Sequence, residues 1–162
     1  MNIETERKFL VKNDNYKKEA SIVHRIKQGY IAHDMGRTVR VRISDNTGYL
    51  TIKGPSKNGI SRLEWEMEIP LSEAESLMQL CKSGIIDKSR YIIPAGKARF
   101  FEVDEFYGDN KGLVIAEIEL GTEDETFKKP EWLGEEVTGN HRYYNSSLCI
   151  RPYKDWENKI LF

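Results

Sequence analysis

The chain has 162 residues, the size of one domain and enough to bury a real core. Its formal net charge is −1 although 31% of its residues are charged, which argues against binding nucleic acid through bulk positive charge, sequence-specifically or otherwise. No apolar run reaches the length of a membrane span, and Cys81 and Cys149 stand far apart without metal-ligand spacing.

No Pro/Ser linker, low-complexity tract or alignable repeat divides the sequence, so residues 1–162 are expected to form a single domain. Both cysteines sit among apolar neighbours and read as small buried hydrophobes. Reduced thiols and no stretch resembling a signal peptide give the expectation of a cytoplasmic protein.

The first ten residues alternate with period two: Glu4, Glu6 and Lys8 share one face of a strand, and Ile3, Thr5, Arg7 and Phe9 the other. Residues 12–15 read as a turn and N-cap. Tyr16, Ala20, Val23 and Ile26 then recur at helical spacing and predict a helix that ends near Gly29 and includes His24. A short strand is expected over 28–32. Residues 38–44 set Val39, Val41 and Ile43 against Thr38, Arg40, Arg42 and Ser44. A turn at 45–48 joins them to a strand over 49–53, as a hairpin. After a loop at 54–59, the run 60–69 opposes Leu63, Trp65, Met67 and Ile69 to Arg62, Glu64, Glu66 and Glu68.

Ser72 and Glu75 form a capping-box pair at the start of a second helix, with Ala74, Leu77, Met78 and Cys81 as its apolar stripe and Gly84 at its end. Further strands are expected over 85–93, with Lys88 and Arg90 on one face, over 99–106, with Glu102 and Asp104, and over 113–120, with Glu117 and Glu119. Beyond about Thr122 the chain reads as loops and short helices. Pro130 marks a helix start, 139–143 a loop and 145–150 a last short helix.

An open antiparallel sheet with one wet face explains any single strand. The charged face as a whole is unusual for one. It is rich in Arg and carboxylate, and like charges recur two residues apart: Glu4/Glu6, Arg40/Arg42, Glu64/Glu66, Lys88/Arg90 and Glu117/Glu119. Such neighbours repel unless a counter-ion or ligand lies between them. The apolar faces also exceed what two helices can cover. A mainly β (α+β) fold closed into an antiparallel barrel, charge inside and helices outside, answers both points. The uncovered outer wall gives the expectation of a homodimer. Guanidinium and ammonium groups suit phosphate, and carboxylate clusters suit Mg²⁺ or Mn²⁺. Together they point to a metal-bound phosphate chain, whose transfer chemistry needs positioning and charge neutralisation.

Glu4-Thr5-Glu6-Arg7-Lys8 is an ExExK motif. In order with Gln28-Gly29-Tyr30, Arg40-x-Arg42, Lys53, Arg62-x-Glu64-x-Glu66, Lys88-x-Arg90, Asp104, Glu117-x-Glu119 and the tail Pro130-x-Trp132-Leu133-Gly134-x-Glu136-Val137-Thr138-Gly139, it resembles the CYTH superfamily, or triphosphate tunnel metalloenzymes. The resemblance covers nearly the whole chain. It implies a closed eight-stranded antiparallel barrel with outer helices, and metal-dependent hydrolysis of a small triphosphate-containing molecule. The substrate expected from the small bacterial members is inorganic tripolyphosphate. Lys8, Tyr30, Arg40, Arg42, Lys53, Arg62, Lys88 and Arg90 are then expected at the substrate. Glu4, Glu6, Asp104, Glu117 and Glu119 are expected at Mg²⁺ or Mn²⁺, and Glu64 and Glu66 at the metal or the attacking water, with Lys8 and Arg42 in the catalytic set.

Alternatives stay open at this point: a class IV-type adenylyl cyclase, a nucleoside or thiamine triphosphatase, a non-catalytic polyphosphate-binding module, or a structural β protein. The His-Phe pair that precedes ExExK in the class IV cyclases has no counterpart before Glu4. Glu68 and Glu102 read as solvated, Trp65 and Trp132 as outer packing, Tyr49 and Thr51 as wall residues, and Arg142 as surface. His33 and His141 lack partners at ligand spacing.

Overall fold

Alternating sequence becomes alternating wall. The computed structural model describes residues 2–56, 58–81 and 83–156; Lys57 of the loop after the fourth strand and both chain ends lie outside the described residues. Among the described residues the strands are β1 (Asn2–Val11), β2 (Ile22–Asp34), β3 (Arg37–Ser44), β4 (Thr47–Lys53), β5 (Ser61–Ile69), β6 (Ile86–Pro94), β7 (Phe100–Phe106), β8 (Val114–Glu119) and β9 (Leu133–Glu136). The α-helices are short: α1 (Tyr16–Glu19), α2 (Leu71–Met78) and α3 (Asn145–Leu148).

Strands β5-β4-β3-β2-β6-β7-β8-β1 follow one another, and β1 pairs back onto β5, so eight antiparallel strands close into the expected barrel. Closure leaves no open sheet edge among these eight. One edge of β1 serves β8, from Glu6↔Glu119 to Leu10↔Ile115. Its other edge is shared: Asn2–Thr5 pair with β5, and Phe9 and Val11 pair with β9.

The pleat sends the ionisable rows inward. Lys88 faces Phe106 across β6–β7, and Asp104 faces Ile115 across β7–β8. Ile86, Phe106 and Ile115 therefore share the inner face with Lys88, Asp104 and Glu117. They join Leu113, Val137, Tyr143, Leu148 and Trp156 in one buried apolar cluster. The lumen is thus charged through its middle and filled with hydrocarbon at one end. A second cluster lies outside the wall, where Phe9, Phe101, Val103, Ala116 and Ile118 pack under Tyr16 of α1 and Trp132. Trp132 is 1% exposed, stacks edge-on against Phe101 with centroids 5.3 Å apart, and donates its indole N–H to Glu19 at 3.0 Å. It is packing, as expected.

Helix α2 lies across β2, β3 and β4. Gly48 makes room for it: a Cβ there would stand 2.7 Å from the Ala74 Cβ. Beyond the helix, Ile3, Leu63, Ile52, Trp65 and Met67 are exposed on the outer wall, with Ile3 opposite Leu63 and Ile52 opposite Trp65. That is the uncovered wall on which the expectation of a homodimer rests.

Three elements differ from the sequence expectation. The helix expected over 16–26 is a single turn, and residues 22–34 form the long strand β2 instead. Its two edges are taken by β3 and β6, which supply the backbone partners, and β-branched Ile22, Val23 and Ile26 suit that extended backbone. His24 consequently lies on a strand and meets Asp45 at 2.7 Å. The capping box is not formed. The chain enters α2 straight from β5, Pro70 is the N-cap, and its carbonyl accepts from the Glu73 and Ala74 amides, so Ser72 is already inside the first turn. Pro130 starts no helix; a turn leads into β9, which takes the edge of β1 that β5 leaves vacant. Gly134 permits this, since a Cβ would fall 2.9 Å from the Leu10 carbonyl oxygen. Among the described residues no helix is long and apolar enough to cross a membrane.

Candidate active site

The charged part of the lumen encloses a cavity of about 210 Å³. Seven glutamates and seven lysines or arginines line it, so the lining is formally neutral. Every expected site residue except one contributes to this lining: Glu4, Glu6 and Lys8 from β1, Tyr30 from β2, Arg40 and Arg42 from β3, Lys53 from β4, Arg62, Glu64 and Glu66 from β5, Lys88 and Arg90 from β6, and Glu117 and Glu119 from β8. Cross-strand register brings them together: Glu4 faces Arg62, Lys8 faces Glu117, and Lys53 faces Glu64.

Asp104 is the exception. It is 1% exposed and lies behind the lining. Arg90 grips both its oxygens, at 2.8 and 2.9 Å, and Lys88 reaches Oδ2 at 2.8 Å. One carboxylate thus anchors two cations that face the cavity.

The remaining contacts are ion pairs and hydrogen bonds. Lys53 Nζ lies 2.7 Å from Glu4 and 3.5 Å from Glu64, and Lys8 Nζ lies 3.2 Å from Glu117. Thr51 donates to Glu66 at 2.8 Å and accepts from Arg40 at 3.1 Å. Arg40 Nε is buried and makes no hydrogen bond among the described residues, an orphan donor on the cavity wall. Arg42 donates its Nε–H to Gln28 at 2.8 Å.

Burial and neighbouring charge divide the acids into two groups. Burial works to raise Glu4, but Lys53 outweighs it, with help from Glu6 and Arg62, and holds the carboxyl down to about 2. Glu117 is likewise held low against its burial, by Lys8 first and then by a hydrogen bond from Glu6. Glu6 is pushed the other way, well above the carboxylate range, by burial and then by the charges of Glu117 and Glu4. Burial and Glu4 also raise Glu64 and Glu119. Among the bases, burial pushes Lys88 down to about 7 despite Asp104, with Arg90 and Arg42 adding repulsion. Burial, Arg40 and Arg90 push Arg42 down as well.

Several lining residues escaped the sequence reading. Glu102, expected to be solvated, lines the cavity and meets Arg90 at 3.4 Å. Its place on the same strand face as Asp104 was the available signal, and the register sets it opposite Glu117. Gln28 shares its face with Tyr30 and was equally accessible to a period-two reading. Thr138, Gly139, Tyr144, Asn145 and Ser146 come from the C-terminal segment, where no periodicity marks them. The Tyr144 ring lies 5.4 Å from Lys8 Nζ and 5.7 Å from the Arg62 guanidinium. Glu68 and Arg142 are exposed, as expected, and Arg142 stacks over Trp156 at 3.9 Å. Cys81 and Cys149 are free and partly buried, and burial pushes the Cys149 thiol up to about 12.

Residues 2–151 match the family model of the CYTH domain. The chain belongs to the CYTH family. Curated CYTH-like relatives carry one name: the inorganic triphosphatase of Acetivibrio thermocellus is 51% identical, covering 97% of this chain and 99% of that protein, and the inorganic triphosphatase of Nitrosomonas europaea is 32% identical over 91% and 97%. A solved crystal structure of an inorganic triphosphatase superposes with a TM-score of 0.64 at 31% identity, covering 91% of this chain and 97% of that one. The CYTH barrel is therefore present both in sequence and in shape.

Among the described residues no three acidic, histidine or cysteine side chains are already gathered as a metal cage. The donor set nonetheless fits a hard divalent cation. It is all carboxylate oxygen, and Glu6 is held above the carboxylate range by burial and then by the charges of Glu117 and Glu4, a repulsion that a cation would relieve. A neutral lumen also turns strongly negative on admitting a polyanion unless cations enter with it.

Proposed function

We propose that the chain hydrolyses inorganic tripolyphosphate to pyrophosphate and orthophosphate in the barrel lumen, with Mg²⁺ or Mn²⁺ as the metal. The observation that carries this reading is the lining itself: seven cationic side chains, most of them buried, surround a cavity whose aromatic groups are Tyr30 and Tyr144. Such a lining offers phosphate oxygens many partners and a nucleobase no stacking clamp. The name shared by the two curated relatives supports the same choice.

In this reading Lys8, Arg40, Arg42, Lys53, Lys88 and Arg90 hold the phosphate chain, with Arg62 and Tyr30 beside it. Glu4, Glu6, Glu117 and Glu119 hold the metal, which would supply charge neutralisation at the phosphoryl oxygens. We reassign Asp104 from metal ligand to anchor, because Arg90 and Lys88 already occupy its oxygens. Glu64 is the group we assign to the attacking water. Burial and Glu4 raise its proton affinity above that of an ordinary carboxylate, which suits a general base, and Glu66 stands beside it. The water oxygen bonds to the terminal phosphorus as one of its protons passes to Glu64, the P–O bond to the bridging oxygen breaks, and pyrophosphate leaves with that electron pair.

The test is direct. The protein is incubated with tripolyphosphate, ATP and thiamine triphosphate, with Mg²⁺, with Mn²⁺ or with chelator, and the products are identified. Metal-dependent release of orthophosphate from tripolyphosphate, in preference to the other two, is expected. Cyclic AMP with pyrophosphate would transfer the assignment to a cyclase, and tight binding without turnover to a polyphosphate-binding module.

A further inference from the structure

Two amide side chains stand among the charges of the lumen, and they touch. Gln28 of β2 is 1% exposed. Its Oε1 accepts from Arg42 Nε at 2.8 Å, and its Nε2 donates to Tyr30 Oη and to Asn145 Oδ1, each at 3.3 Å. Asn145 Oδ1 also accepts from Lys88 Nζ at 2.8 Å. Lysine can only donate, so the atom facing Lys88 must be the amide oxygen; arginine can only donate, so Gln28 must turn its oxygen to Arg42. The orientations of both amides are thereby fixed, and they agree with the bond between them.

We propose that Asn145 and Gln28 are positioning residues that hold Lys88 and Arg42 for the polyphosphate, so that the C-terminal helix α3 completes a binding site otherwise built from barrel strands. The inference rests on the lumen being the polyphosphate site.

The chemistry of the acceptor is the reason. Arg42 is crowded by Arg40 and Arg90, and Lys88 by Arg90 and Arg42. Without a tether these cations would move apart. A carboxylate tether would cancel the charge that phosphate needs and would compete with it for the same donors. An amide oxygen fixes the cation and leaves its charge in place. Asp104 is already shared with Arg90, so Asn145 supplies the neutral half of the Lys88 coordination. Helix α3 is held where it can do this by Leu148, which is 1% exposed in the apolar end of the barrel three residues further on.

The experiment measures tripolyphosphate affinity by calorimetry in chelator, and KM and kcat with Mg²⁺, for the wild type, Asn145→Ala, Asn145→Asp, Lys88→Met and the Asn145→Ala/Lys88→Met double variant. Truncating the amide should raise Kd and KM about tenfold, the worth of one hydrogen bond to a charged group, with kcat within about threefold because Asn145 touches no reacting atom. In the Lys88→Met background the same truncation should add less than about twofold, because its partner is gone. Asn145→Asp keeps the shape and both acceptor contacts, so it should fold normally and still bind tripolyphosphate more weakly, by giving Lys88 a second counter-ion. A structural peg would be rescued by Asp. Wild-type affinity in Asn145→Ala or Asn145→Asp, or an equal penalty with and without Lys88, would overturn the inference. Turnover by the wild type tests the hydrolase reading separately, since the Kd comparisons stand without it.

Discussion

Lys8 and Arg42 differ from Glu119 in what their loss should do. Lys8→Ala and Arg42→Ala remove charge-assisted bonds to phosphate and should raise KM for tripolyphosphate about 10- to 100-fold, measured at saturating metal. Glu119→Gln keeps the shape and removes one carboxylate charge. It should raise the Mg²⁺ or Mn²⁺ concentration needed for half-maximal activity, with the melting temperature unchanged, since Glu119 is exposed at the cavity edge. The period-two rule put these groups on the face that lines the cavity because it needs only the pleat. It could not place Asp104, whose side chain shares the face but lies behind two cations, or Asn145, which arrives from a segment with no period. Lys88 gives a pH dependence. Its proton is held less tightly in the fold than in the unfolded chain, with a pKa of about 7 in the fold. Between that value and the ordinary lysine range of about 10.4, the empty protein therefore gains stability as pH rises. A polyphosphate favours the ammonium form and must bring the missing proton with it. Metal-free affinity for tripolyphosphate should fall as pH rises from 7 to 9, and calorimetry in buffers of different ionisation enthalpy should show proton uptake that Lys88→Met abolishes.

Hairpins such as β3–β4 were legible because turn residues and alternation lie within a few residues of each other. Strand β2 was not, since Tyr16, Ala20, Val23 and Ile26 fit a helical stripe by coincidence and the edges that override it belong to β3 and β6. Strand β9 was invisible for the same reason: its partner, β1, is at the other end of the chain. The helix α2 was legible in Ala74, Leu77 and Met78 of its apolar stripe, although its cap was not, nor its end at Met78, short of the expected Cys81 and Gly84. What seats it is the absence of a side chain at Gly48. Gly48→Ala should force a Cβ to within 2.7 Å of Ala74 and 3.0 Å of the Ile69 carbonyl. Overpacking of that kind costs about 1–3 kcal/mol. Denaturant unfolding should report it, while kcat/KM below the transition stays at the wild-type value, because Gly48 does not line the cavity.

The closed barrel was inferred from like charges that no wet sheet would gather, and the structure keeps those charges crowded in a lumen of about 210 Å³. Burial first, and then the charges of neighbouring glutamates, raise Glu6, Glu64 and Glu119 in this site. Metal and polyphosphate bind the folded chain alone, so each should raise the melting temperature, and both together should raise it by more than the sum of the separate shifts. Equal shifts for phosphate chain alone and for the pair, in a thermal melt, would count against a shared site.

Strand β1 is the seam of this barrel. Its pairing with β8 joins residues such as Lys8 and Glu117, 109 positions apart along the chain, and its pairing with β5 finishes the ring. Contacts of such sequence separation carry a loop-closure cost that the local β3–β4 hairpin does not. The β1 amides should accordingly become protected last in pulse-labelled hydrogen exchange during refolding, after those of the β3–β4 hairpin. Because Glu4, Glu6 and Lys8 ride on that strand, a nascent or partly folded chain has no ion-binding chamber at all. Chamber and ring are therefore completed by one event, the docking of β1 between β5 and β8.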